Sequence, residues 1–107
     1  MNEITIKQGD TRNCIKATLR DKDGELVDLT DLQVLFNMKK INGSTKTNTY
    51  AHVEDAVNGE VWYVWNEGDT DVPGRYRGDF EVIYLDGKVE TFPNNGYINI
   101  KIIDNLK

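Results

Sequence analysis

Few side chains in this sequence are of the kinds that perform catalysis. There is one cysteine, Cys14, and one histidine, His52. A reactive thiolate needs a base beside it, and these two residues are the only Cys-His pair available. His52 has no second His or Cys nearby, so a solvated or hydrogen-bonded imidazole is expected. A multi-cysteine zinc site is excluded and a Ser-His-Asp arrangement is cramped. Carboxylates are more plentiful. The segment Asn66-Glu67-Gly68-Asp69-Thr70-Asp71 places two aspartates at DxD spacing, which can put both on one calcium ion. Asp, Gly and Thr are equally the residues that a plain turn selects. The run Asp21-Lys22-Asp23-Gly24 lacks the Glu that completes an EF-hand loop. Arg77-Gly78-Asp79 spells the tripeptide that integrins bind on protruding loops, but it falls inside a strand-like alternation. Asn42-Gly43-Ser44 is a glycosylation sequon that acts only on a secreted chain. These residues predict no catalytic site, no metal and no cofactor.

One run stands apart. In Val61-Trp62-Tyr63-Val64-Trp65, successive strand side chains point to opposite faces. If Val61, Tyr63 and Trp65 fill a core, Trp62 and Val64 are thrown onto the other side. A Trp beside a Val on an acidic surface suggests a contact patch for a partner. The competing reading is that a neighbouring strand or a chain terminus covers them.

The elements that position these residues follow from turn chemistry. Eleven Asn, 11 Asp, 9 Gly and 2 Pro are spread along the 107 residues. Asp23-Gly24, Asn42-Gly43, Asn58-Gly59, Asp86-Gly87 and Asn95-Gly96 are dipeptides that accept positive φ in tight hairpin turns. Between them lie short period-2 alternations: Ile4 and Ile6; Ile15, Ala17 and Leu19; Val34, Phe36 and Met38; Ala51 and Val53. Further along come Val61 to Trp65, then Tyr76, Gly78, Phe80, Val82 and Tyr84, then Val89 with Thr91, and finally Ile98, Ile100 and Ile102. This predicts an all-β antiparallel sandwich of about seven to eight strands. A single helical turn fits only Asp28 to Leu32, capped by Asp28 or Thr30. The polar stretch from Asn42 to Thr49 reads as a mobile hairpin tip. Asp71-Val72-Pro73-Gly74-Arg75-Tyr76 places a turn before a tyrosine near a strand start. That is the corner at which immunoglobulin-like sandwiches return a Tyr hydroxyl to upstream backbone; the plainer reading makes Tyr76 ordinary core.

Composition narrows the function classes. At 107 residues there is room for one domain, 1–107. The formal net charge of -5 disfavours a nucleic-acid partner. No apolar run is long enough to span a bilayer as a helix. Met1-Asn2-Glu3 lacks the basic and apolar regions of a secretory signal, so synthesis in a reducing cytoplasm is expected.

The order of the motifs carries more than any one of them. Ile4-Thr5-Ile6-Lys7-Gln8-Gly9-Asp10-Thr11 opens the chain, followed by Ala17-Thr18-Leu19, Asp23-Gly24 and Val27-Asp28-Leu29-Thr30. Then come Gly59-Glu60-Val61 through Trp65, Gly68 through Gly74, Tyr76, Phe80-Glu81-Val82, Glu90-Thr91-Phe92-Pro93 and Gly96-Tyr97-Ile98. Over roughly Ile4 to Ile103 this resembles the N-terminal domain of the baseplate upper protein family of tailed phages and prophages of Gram-positive bacteria. The resemblance implies an immunoglobulin-like sandwich that is a non-catalytic part of the virion tail baseplate. It implies docking to other baseplate or tail proteins such as the distal tail hub protein, with copies of the chain itself as further neighbours. In longer members downstream segments carry the receptor-binding proteins. A chain ending at Lys107 is expected to be a short member or an excised first domain, with no such role of its own. Trp62 and Val64 are the candidate partner-binding residues. The alternative is a small carbohydrate-binding module presenting Trp62 and Tyr97 to sugars.

Overall fold

Among the described residues nine strands account for the regular structure: β1 (Glu3–Lys7), β2 (Cys14–Thr18), β3 (Gln33–Lys40), β4 (Thr45–Tyr50), β5 (His52–Asp55), β6 (Glu60–Val64), β7 (Gly74–Ile83), β8 (Val89–Phe92) and β9 (Ile98–Ile103). The computed structural model describes residues 3–106, except for the side chains of residues 45 and 46. Met1, Asn2 and Lys107, part of the 1–107 domain expectation, lie outside the described residues. The strands form two sheets. One runs β1-β9-β7-β3-β4, with β8 also paired to β7; the other is β2-β6-β5. The all-β sandwich is as expected, with three differences.

First, the polar segment taken for a mobile tip contains a strand. Thr45–Tyr50 pairs with β3 as an edge, with Thr49 opposite Phe36 and Tyr50 opposite Leu35. An edge strand needs only one paired side, so threonines and asparagines suffice where a central strand would need an apolar face. Second, β1 runs parallel to β9, with Ile4 opposite Ile100 and Ile6 opposite Ile102, so the sandwich is not wholly antiparallel. Third, Asp28 to Leu32 forms no helical turn. The Asp28 carboxylate accepts from the backbone N–H and hydroxyl of Thr30 at 3.0 and 2.6 Å. Asp31 then takes a left-handed φ of 62°, which bends the chain out of a helix.

The core sits between the sheets and follows the period-2 parity. Val34, Phe36 and Met38 face Val82, Phe80 and Gly78 along the β3–β7 ladder, while Ile15 and Ala17 of β2 sit opposite Tyr63 and Val61. Phe36 joins the two layers. Its ring stacks on Tyr63 at 4.3 Å, meets Trp65 edge-on at 6.4 Å and lies 5.2 Å from Phe80. Each of these residues is at most 4% exposed. Such offset and edge contacts add to area burial. Ile98 is only half-buried, packing on the margin of this cluster.

Two local features lock the frame. The Tyr76 hydroxyl donates to the Val72 carbonyl at 2.7 Å, so the tyrosine-corner reading holds. Burial pushes the Tyr76 phenol above its ordinary pKa. Gly59, with φ of 69°, lets two other backbone segments approach: a Cβ there would lie 2.8 Å from the Val27 carbonyl oxygen and 2.9 Å from that of Leu19.

Candidate docking surface

β6 is the middle strand of the smaller sheet, and its parity divides the aromatic run cleanly. Val61 and Tyr63 point inward and are fully buried, as is Trp65 just beyond the strand, while Trp62 and Val64 stand on the outer face. Register sets what surrounds them. Trp62 lies opposite Lys16 on β2 and His52 on β5, and Val64 lies opposite Cys14. The Lys16 ammonium sits 4.4 Å from the Trp62 ring centroid, a cation-π contact. His52 meets the same ring edge-on at 6.2 Å, and the indole N–H donates to the Glu60 carboxylate at 3.4 Å. Trp62 is thus half-buried beneath side chains of its own sheet, whereas Val64 is 53% exposed. The face has a covered part and an open part. Side chains of the neighbouring strands cover part of the indole, and the exposed Val64 lies two residues further along the same face.

The other singled-out residues take structural roles. Asp69 does not face outward for an ion. One carboxylate oxygen accepts from the Tyr63 hydroxyl at 2.5 Å and from the Asn66 backbone N–H at 2.8 Å; the other accepts from the Thr47 hydroxyl at 3.2 Å. The loop is therefore tied to a core tyrosine and to the edge strand β4. Burial, and next the Asp69 bond, hold the Tyr63 phenol well above its ordinary pKa. Among the described residues no group of three His, Cys, Asp or Glu side chains could hold a metal ion. His52 Nε2 lies 2.9 Å from a Glu54 oxygen, an exposed pair. Cys14 begins β2 at the margin of the outer face.

Arg77-Gly78-Asp79 lies in the middle of β7, as its alternation predicts. Gly78 is buried, and a Cβ there would come within 3.1 Å of Ile100 Cδ1 and 3.2 Å of Phe36 Cζ. Asp79 accepts from the Asn37 amide at 3.1 Å, and Asn48 in turn donates to the Asn37 carbonyl oxygen. Burial raises the Asp79 carboxyl, and the nearby Glu81 adds to this against the lowering by Asn37. The arginine stacks over Tyr97 at 5.2 Å. Tyr97 thus stands beside β7 of the larger sheet, whereas Trp62 stands on β6 of the smaller one, and no ring contact joins the two among the described residues.

Sequence reasoning missed one feature of this region. Among the described residues β2 is paired on one side only, and a cleft runs beside its other edge. Alternation reveals a strand's faces but not its neighbours, so nothing in the chain marked it.

Among solved structures, the chain is similar to CopC from Methylosinus trichosporium OB3b at 13% identity and a TM-score of 0.59, covering 100% of this chain and 89% of that one. It is also similar to the N-terminal domain of phage TP901-1 ORF48 at 18% identity and a TM-score of 0.65, covering 97% of this chain and 85% of that one. At these identities the likenesses speak for the fold alone. No curated protein matches the chain. The family model that matches is that of the BppU N-terminal domain, over residues 1–95. That match spans all but the last strand, including the tyrosine corner, the paired aromatic run and the cleft edge, and the chain therefore belongs to the family of phage baseplate upper protein N-terminal domains.

Proposed function

We propose that the domain is a non-catalytic docking module of a phage tail baseplate. In this reading it attaches to other tail proteins, the distal tail hub protein first among them, through the outer face at Trp62 and Val64. The match to a baseplate domain family over residues 1–95 is the observation that carries the proposal. The surface chemistry supports it. An indole already gripped on one side by Lys16 and His52 is held in place and loses little rotamer freedom on contact. Beside it, Val64 offers apolar area that solvent now covers. The engagement of both Asp69 carboxylate oxygens, by Tyr63 and Asn66 on one side and Thr47 on the other, supports the non-catalytic part of the reading. The site of action would be the virion tail, after synthesis in the host cytoplasm.

Binding to the purified distal tail hub protein of the same phage, followed by calorimetry, tests this. Trp62→Ser should leave the domain folded and weaken binding at least tenfold, the loss expected when an interface tryptophan is truncated. A variant that folds and binds as well as the parent places the docking face elsewhere. A parent domain that binds no tail protein overturns the docking role.

A further inference from the structure

The smaller sheet ends at β2. β6 pairs with one side of it, and among the described residues no strand pairs with the other. The Leu19 backbone N–H donates to the Gly59 carbonyl at 2.8 Å, which fixes the phase of the ladder. Antiparallel alternation then turns the backbone groups of Ile15 and Ala17 toward β6, and those of Cys14, Lys16 and Thr18 toward the open edge. An open edge of this kind is a template for another strand.

A cleft of about 430 Å³ runs along the edge, where Ile4, Ala17, Leu19, Phe92 and Ile98 supply apolar lining and Thr18, Asn95 and Tyr97 polar lining. Ile4, Ala17 and Ile98 are only partly buried there, packed on the core from its margin. The charge on the rim is of one sign. Lys16 and Arg20 line the cleft, and no carboxylate does, on a chain whose net charge is -5. Lys16, Thr18 and Arg20 share one strand parity, so their side chains stand on the outer face, beside Trp62. Symmetric pairing of β2 with β2 of a second copy would bring these cations together, which opposes self-association by this edge.

We propose that β2 is an acceptor edge for an extended segment of a partner protein. The segment adds as a fourth strand, with apolar side chains at alternate positions entering the cleft. The intervening positions carry carboxylates, which fall on the outer face against Lys16 and Arg20. The backbone supplies the affinity, the cleft sets the register and the two cations choose the partner. This rests on the docking reading for the existence of a partner and specifies its chemical class. The added strand would extend the same outer face that carries Trp62.

The test uses the isolated domain, ¹⁵N-labelled, and a blocked peptide of about seven residues alternating Glu with Val, within the usual strand length. Addition of the peptide should shift the amides of Lys16 and Thr18 and slow their hydrogen exchange, with Lys replacing Glu in the peptide weakening binding at least tenfold. Thr18→Pro removes an N–H that points to the open edge and donates no bond to β6, a place where proline is tolerated. It should keep the fold and abolish the effect. Should it unfold, the double variant Lys16→Glu, Arg20→Glu serves instead and should reverse the preference to the Lys peptide. No shift at these amides with millimolar peptide overturns the proposal, as does equal binding of both peptides. Protection of the same amides that grows with domain concentration and needs no peptide makes a second copy the occupant, and also overturns it. A hub protein that binds through Trp62 while the peptide fails leaves the docking role standing. A peptide that binds while no tail protein does overturns the docking role alone.

Discussion

Replacing Phe80 by alanine tests whether both sheets share one core. Phe80 is fully buried at the centre of the larger sheet, opposite Phe36 on β3 and Phe92 on β8. Its ring lies 5.2 Å from that of Phe36, tilted by 56°, and Phe36 in turn stacks on Tyr63 of the other sheet. Truncation removes buried ring surface, leaves a cavity under the residue that joins the layers and breaks one aromatic pair. Phe→Ala changes at such sites cost about 3–5 kcal/mol. A domain of this size holds about 5–15 kcal/mol in total, so the variant should be close to its folding limit. Urea unfolding followed by Trp fluorescence reads the loss as a lower midpoint at unchanged slope. If the alanine variant does not fold, Phe80→Leu should still fold and lose about 1 kcal/mol. The 83% exposed Leu85, changed to alanine, should move the midpoint by less than about 0.5 kcal/mol. A Phe80→Ala loss under about 1 kcal/mol would refute the shared core.

Three further outcomes are expected. Gly59→Ala should destabilise by about 2 kcal/mol or more, because φ of 69° and two carbonyl oxygens within 2.9 Å of the new Cβ both oppose it, and a parent-like midpoint would contradict that. Tyr76→Phe should cost about 1 kcal/mol in the same urea experiment, the net worth of the hydroxyl bond to the Val72 carbonyl. Stability should fall above pH 10: burial raises the phenols of Tyr63, Tyr76 and Tyr84, the last to about 12 with help from Glu90, so the unfolded chain releases those protons first. A urea midpoint that stays level from pH 9 to pH 12 would contradict the alkaline coupling.

The strand faces were legible because each face answers to one local rule. The inward set from Tyr76 to Val82, and the outward throw of Trp62 and Val64, follow from alternation alone. The tyrosine corner was legible because a Pro-Gly turn entering a strand two residues before a tyrosine is a local signal. What failed was non-local. β4 carries Thr and Asn because an edge strand is half-solvated, and only its register with β3 reveals it. The parallel pairing of β1 with β9 joins opposite ends of the chain, and no periodicity reports which strand lies beside which. At the candidate site the same limit applies. Sequence placed the indole outside the core, but the lysine above it, the histidine at its edge and the open side of β2 all depend on register.

The most direct test of the docking account is amide and indole mapping of the labelled domain against the purified distal tail hub protein. The account predicts that the Trp62 indole N–H and the Val64 backbone amide shift on binding, together with Lys16 on the neighbouring strand. Saturable binding that leaves these signals in place and moves instead the outer face of the larger sheet, around Asn37 and Arg77, would contradict it.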